Sequence, residues 1–383
     1  MPFLADRFDQ IIIFSLTSNK TIVRKVPDNV LCFSLNQTNY PFKKIRKLFS
    51  GFFHNPFPID RKKIKDRIHC YYKRGTVYRA TRKCVSIIKK HNFTLDSNTV
   101  FYSYWLSDTA LISLLLRKIL HANVKCVSRA HGSDVYSFAQ PCGFNPFQEY
   151  IISNLDYVFT VSENGKEYLS SLYQNYSSKI FTQRLGTKDC GVGKIPYSSN
   201  IHFVTCSNII DIKRVDLFAR LFCELSKKSK NLFWTCFGDG DQLNYIKQLV
   251  QHNCLDEHVT FMGRQTNELV MSYYKSNSVS FFVNLSITEG LPVSIMEAMS
   301  FGIPCLATSV GGTNELVDNT NGLLLTPNEG DNYYFDMILR AINTNGNDYL
   351  TMRKNARKKW ESLCNADLNY LNWCEILRGI IND

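Results

Sequence analysis

Short apolar runs alternate with amphipathic stretches along the whole chain. Ile11–Leu16, Val30–Leu35, Thr99–Tyr102, Val124–Arg129 and Tyr157–Val161 have the length and content of buried strands. Between them, Thr109–His121 and Glu163–Tyr173 carry apolar residues at helical spacing. The second half repeats the scheme with strands at His202–Cys206, Phe233–Gly238, Val259–Met262, Val279–Val283, Pro304–Thr308 and Gly322–Leu325. Val215–Ser226 and Gln242–Gln251 are among its helices. Strand–helix alternation predicts parallel sheets covered on both faces. Two such series predict two doubly wound α/β domains, each with its ligand crevice at the carboxyl ends of the strands. The Gly-, Ser- and Pro-rich stretch Gly191 to Asn200 sets the expected boundary, giving domains 1–192 and 193–365. Ala366–Ile381 reads as a last helix within 366–383.

One block interrupts this regular scheme with chemistry. Asn284 to Glu315 reads NLSITEGLPVSIMEAMSFGIPCLATSVGGTNE. Glu289 and Glu297 stand eight positions apart, separated by a Gly-Leu-Pro turn that opens a helix. Pro292 suits the first helical position, where its missing N–H costs nothing. Gly302 and Pro304 suit the helix end. Glu289 is therefore expected on a loop after a strand, and Glu297 on the helix that follows. Free N–H groups at such a helix start can bind a diphosphate, and carboxylates beside them can accept hydrogen bonds from sugar hydroxyls.

At these residues the chain resembles the retaining, nucleotide-sugar-dependent glycosyltransferases of group one, family four, which have the GT-B fold. Their pattern EGxPxxxxEAMxxGxPVxATxxGGxxE is matched by Glu289, Gly290, Pro292, Glu297, Ala298, Met299, Gly302, Pro304, Ala307, Thr308, Gly311, Gly312 and Glu315. The resemblance implies two Rossmann-like domains facing across a cleft, acceptor on the first and donor on the second, with the last helix returning to the first domain. It assigns Glu289 to the donor-sugar hydroxyls, Glu297 to the ribose, and the amides of Gly290 and Leu291, with Pro292 and Val293 beside them, to the diphosphate. In Cys206-Ser-Asn208-Ile-Ile-Asp-Ile-Lys213-Arg214, Lys213 matches the family's lysine for the diphosphate. Asn208 stands where the family has an arginine, with Arg214 as a substitute. Gly263 and Arg264 are the expected base contacts, and His131, in Arg129-Ala-His131-Gly132-Ser-Asp134, faces the donor sugar. Asp134 is read as a cap of the turn that follows.

The resemblance further implies a bacterial surface-polysaccharide enzyme, adding a hexose from a UDP- or GDP-linked donor to a lipid-linked glycan acceptor. Retention of configuration is expected by front-side substitution. No cofactor and no metal are expected. Asp239-Gly-Asp241 has the look of a metal motif but sits at a strand-to-helix turn, where Gly and Asp are expected as turn and cap. Relatives open with a strand and a Gly-containing loop before the helix. Here Met1 to Phe8 reads as the end of that helix and the first glycine is Gly51, so the family's first strand is expected to be lacking.

Composition narrows the setting. Thirteen cysteines, an odd number without a C-x-x-C, fit reduced buried thiols and not a zinc site. No apolar run reaches membrane-span length, and no leader pattern is read ahead of the first strand. Charge is uneven: Pro41 to His91 holds 16 Lys/Arg against Asp60 and Asp66, a net +14 in a chain of +12. Phe42, Phe49, Phe52, Phe53, Phe57, Tyr71 and Tyr72 are interleaved there. This mixture fits an anionic membrane surface contacted by Lys43, Lys44, Arg46 and Lys47. Nucleic acid also attracts such a segment but is not expected as a partner. The expected place is the cytoplasm, peripheral to the inner face of the plasma membrane. A non-catalytic basic binder is the rival reading, and a GT-B enzyme that glycosylates a lipid or small molecule is another.

Overall fold

The computed structural model describes residues 2–17, 25–35, 41–54, 57–59, 63–140, 142–196 and 200–382, without the side chains of 2 and 41–44. The chain forms two compact units: Met1–Gln183 with Tyr370–Asp383, and Arg184–Asn369. The division falls at 183/184 and 369/370, not at 192/193 and 365/366. The reason lies in the contacts of the connecting residues. Arg184 pairs with Glu315 at 2.6 Å, Thr187 accepts from Trp360 Nε1 at 2.7 Å, and Asp189 pairs with Arg357 at 2.7 Å. Asn369 donates to the carbonyls of Leu185 and Leu363.

The first unit has strands β1 (Ile11–Ser15) and β2 (Val30–Ser34) paired in parallel. A separate parallel sheet runs β3 (Val100–Ser103), β4 (Lys125–Ala130), β5 (Tyr157–Thr160) and β6 (Ile180–Thr182) in chain order. Parallel neighbours need crossovers, and the helices Asp108–Leu120, Gln148–Asn154 and Glu163–Leu172 supply them. Alternate residues of β4 serve opposite faces, the period-2 rule of strands. Cys126 and Ala130 join Val77, Ala80 and Leu111 in one core, while Val127 joins Trp373, Leu377 and Ile380 of the helix Ala366–Asn382 in another. The helices Pro41–Phe53 and Ile64–Lys90 cross at two glycines. A Cβ on Gly51 would lie 1.8 Å from the Tyr71 carbonyl oxygen, and one on Gly75 1.7 Å from that of Lys47. Only backbone without a side chain allows that approach.

The second unit is built on six parallel strands: β7 (Ile201–Cys206), β8 (Leu232–Phe237), β9 (Val259–Gly263), β10 (Phe281–Asn284), β11 (Cys305–Thr308) and β12 (Gly322–Leu325). Their order is β12-β11-β10-β7-β8-β9. The chain works outward on one side of β7, then returns to its other side with β10. That reversal leaves a crevice at the carboxyl ends of β7 and β10, where doubly wound sheets hold ligands. Strand interiors read as unbroken apolar runs because both faces are covered. Phe203, Phe218, Phe222 and Trp234 form the centre of one face, with the Trp234 indole N–H satisfied by Thr205 at 3.0 Å.

Candidate functional site

The loops leaving β7 and β10 meet at this reversal. Ile287 N–H donates to the Ile212 carbonyl at 2.9 Å, tying one loop to the other. Lys213 stands on the turn Asp211–Lys213 after β7, and Glu289 on the loop after β10. Their charged groups meet at 2.6 Å, with side chains 24% and 11% exposed. The same carboxylate oxygen, Oε1, also accepts from Ser286 Oγ at 2.7 Å and Asn284 Nδ2 at 3.2 Å. Among the described residues, nothing donates to Oε2. Glu289 is thus held by one oxygen and offers the other, an acceptor fixed before any hydroxyl arrives. Charge-assisted bonds of this kind are stronger than neutral ones.

The Gly-Gly of the block braces this loop from behind. Gly312 N–H donates to the Gly290 carbonyl at 2.8 Å. Gly311 has φ +52°, and a Cβ there would lie 1.8 Å from the Glu289 carbonyl oxygen. The helix Val293–Ser300 follows, with Pro292 as its N-cap, one position before that expected. The Pro292 carbonyl accepts from the Ile295 and Met296 N–H groups, and its own lack of a donor costs nothing there. The N–H groups of Gly290 and Leu291 make no hydrogen bond among the described residues and lie just ahead of this helix, whose dipole favours an anion.

Glu297 is on the fifth position of that helix. Its Oε1 accepts from Asn267 Nδ2 at 2.6 Å. Burial pushes its carboxyl up to about 7, and the Asn267 hydrogen bond opposes the rise. Gly263 closes β9 at φ +64°, and Arg264 follows with an exposed side chain. Asn208 is exposed just past β7.

Arg214, in left-handed backbone (φ +50°) just ahead of the helix Val215–Lys228, lines the same small cavity as Lys213, Asn284 and Ser286, and its guanidinium lies 5.1 Å over the Tyr334 ring and donates to the Tyr334 hydroxyl at 3.3 Å. Two expectations are corrected. Lys47 is 3% exposed, its ammonium lodged against the Tyr72 ring and hydroxyl between the two long helices. It cannot reach a membrane from there. Asp239 folds its carboxylate onto the Gly240 N–H, and the helix Leu243–His252 starts at Gln242 without a side-chain cap, so neither Asp239 nor Asp241 caps it.

His131 belongs to the first unit, directly after β4. Its ring lies between Tyr104 and Trp105, at 4.6 and 4.4 Å. Asp134, 3% exposed, accepts from the main-chain N–H groups of His131 and Leu106, both at 2.7 Å. It therefore pins the loop after β3 to that after β4, more than the local cap expected. Arg46 is exposed on the helix Pro41–Phe53, whereas the side chains of Lys43 and Lys44 fall outside the described residues. The same helix exposes Phe49, Phe52 and Phe53, at 58, 62 and 73%, while Phe57 is buried against Phe147 and Tyr150. Among the described residues no helix is long and apolar enough to cross a membrane, and no cluster of three His, Cys, Asp or Glu could hold a metal.

Two units built on parallel α/β sheets match the GT-B fold of solved structures. Sucrose-phosphate synthase from Thermosynechococcus elongatus superposes with a TM-score of 0.74 at 16% identity, over 97% of this chain and 89% of that one. Residues 197–359, most of the second unit, match the family "Glycosyl transferases group 1". The N-acetyl-alpha-D-glucosaminyl L-malate synthase of Bacillus anthracis is 24% identical over 240 residues, 57% of this chain and 59% of that protein. The amylovoran biosynthesis glycosyltransferase AmsK of Erwinia amylovora is 28% identical over 163 residues, 41% and 40% of the two chains. The chain thus spans about half the length of these curated relatives.

Proposed function

We propose that this protein is a retaining glycosyltransferase that moves a hexose from a nucleoside-diphosphate sugar to a polyprenol-linked oligosaccharide in surface-polysaccharide synthesis, such as O-antigen, capsule or exopolysaccharide. The observation that carries the proposal is the Lys213–Glu289 pair at the crevice between β7 and β10, beside the unpaired N–H groups of Gly290 and Leu291. Lys213 and those amides would take the diphosphate. Glu289 Oε2 would take donor-sugar hydroxyls, and Glu297 the ribose diol. Gly263 and Arg264 border the base in this reading, and His131 supports the reacting sugar. The similarity to the amylovoran biosynthesis glycosyltransferase AmsK and to the N-acetyl-alpha-D-glucosaminyl L-malate synthase supports the chemistry.

The bond from the anomeric carbon to the diphosphate oxygen breaks while the acceptor oxygen enters on the same face. The leaving phosphate takes the acceptor's proton. Catalysis then rests on positioning and on stabilising charge at the leaving group. Lys213 supplies the positive charge that a metal ion would otherwise bring. Turnover should therefore persist in EDTA, read as nucleoside diphosphate released over time. Complete loss, restored by magnesium or manganese, would contradict this role for Lys213.

The acceptor's lipid would hold the enzyme at a bilayer. Phe49, Phe52 and Phe53, with Ile45 and Arg46 exposed around them, are suited to an anionic interface. Vesicles of phosphatidylglycerol should retain the protein, phosphatidylcholine vesicles far less, and binding should fall as salt rises. Replacing Phe49, Phe52 and Phe53 together by Ser should release it. Equal retention on both lipids, or none, would count against membrane docking. A non-catalytic basic binder would account for this helix but leaves the Lys213–Glu289–Glu297 arrangement without a purpose.

A further inference from the structure

We propose that Tyr104 and Trp105 form an aromatic corner that takes a pyranose ring of the glycan acceptor beside His131, an inference that rests on the glycosyltransferase reading above. Both residues lie on the loop between β3 and the helix Asp108–Leu120. β3 and β4 are parallel neighbours, with Ser103 opposite Ser128, so this loop and the His131 loop leave the same edge of the sheet. Carboxyl ends of parallel strands are where α/β sheets place ligands.

The corner is built and rigid. Its two rings stand nearly perpendicular, 83° apart with centroids at 5.8 Å, and each meets the His131 imidazole at about 45°. The main chain behind them is anchored. Leu106, 1% exposed, donates its N–H to Asp134, and the Trp105 carbonyl accepts from Thr109 Oγ1 at 2.9 Å. Tyr104 and Trp105 nevertheless remain 48% and 40% exposed. The other three of the chain's four tryptophans, Trp234, Trp360 and Trp373, are at most 1% exposed. Both imidazole nitrogens of His131 are buried beneath the two rings and make no hydrogen bond among the described residues, Nδ1 lying 3.9 Å from Asp134 Oδ2.

A ligand for such a corner needs an apolar face for the rings and hydroxyls for the polar edges of the exposed side chains, the Tyr104 phenol and the Trp105 indole N–H. A pyranose ring has both, since its axial C–H bonds make one face apolar and its hydroxyls ring the edge. Aromatic side chains combine a large apolar face with a polar tip and lose little entropy on binding. A nucleobase would use the rings but carries no rim of hydroxyls for their polar edges, and a lipid chain would use no polar group at all.

Because Trp105 is the exposed tryptophan, its emission reports on the corner. Acrylamide quenching would be followed while the full-length protein is titrated with maltose, lactose or N,N′-diacetylchitobiose, without nucleotide. At least one disaccharide should protect the emission. Tyr104→Ala, which keeps the reporter, should weaken that protection about tenfold. By calorimetry Trp105→Ala should lose disaccharide binding and Trp105→Phe largely keep it. All three variants should melt with the wild type and bind UDP or GDP equally well. Protection by UDP or GDP instead of sugar, or by vesicles alone, would overturn the inference, as would indifference to all three disaccharides. If the wild type binds disaccharide at this corner but binds no nucleoside diphosphate, the transferase reading fails while the corner stands.

Discussion

Glu289→Ala is expected to lower kcat about a hundredfold, the scale seen when one preorganised transition-state contact is removed. The carboxylate is gripped through Oε1 by Lys213, Ser286 and Asn284, so its free oxygen meets the donor sugar at a fixed place. Contacts that tighten as the sugar's ring distorts act on kcat more than on ground-state affinity. Nucleoside diphosphate, which lacks the sugar, should bind the variant nearly as well as the wild type. Glu289→Gln separates two contributions: it keeps an acceptor oxygen but removes the charge that pairs with Lys213. Its turnover should fall between wild type and Glu289→Ala. A Glu289→Ala enzyme with normal kcat and a raised KM would place this residue in ground-state binding only.

Glu297→Ala should weaken nucleotide binding by roughly 1.5–3 kcal/mol, the range for hydrogen bonds to a charged group. The wild type adds a pH signature. Burial pushes the Glu297 carboxyl up to about 7, and only its ionised form accepts hydrogen bonds from both ribose hydroxyls. Affinity should thus be full above that value and fall about tenfold for each pH unit below it. Among the described residues, the Asn267 amide donates to it, and the titratable groups beside it, the Cys206 thiol and the buried Tyr274 phenol, are both pushed up and stay neutral across this range. Calorimetry with a nucleoside-diphosphate sugar, whose diphosphate does not titrate here, isolates the effect. Glu297→Gln should bind weakly and independently of pH. A wild-type affinity flat from pH 6 to 8, or an unchanged affinity in Glu297→Ala, would remove Glu297 from the ribose.

Some of this was legible in the sequence because it is local. The strand, the Gly-Leu-Pro turn and the helix that separate Glu289 from Glu297 lie within one short stretch, and apolar periodicity places each in turn. Asn284 and Ser286 were inside that stretch, five and three residues before Glu289, but nothing in their spacing says that both would turn onto one carboxylate oxygen. Contacts between distant positions were not legible. Asn267 reaches Glu297 across 30 residues, and Arg214 finds Tyr334 across 120. The basic segment shows the same limit. Its charge is plain, yet which lysine faces outward depends on the Gly51–Gly75 crossing, which turns Lys47 inward onto Tyr72. Tyr104 and Trp105 read as ordinary aromatics at a strand end until β4 sets His131 beside them.

The measurement that tests the central claim most directly is release of nucleoside diphosphate from a panel of UDP- and GDP-sugars by the wild type and by Glu289→Ala, each with and without EDTA. The account predicts that at least one donor is turned over by the wild type, that EDTA leaves this rate in place, and that Glu289→Ala loses about a hundredfold while still binding the free nucleotide. No turnover of any donor, together with no binding of UDP or GDP, would contradict it.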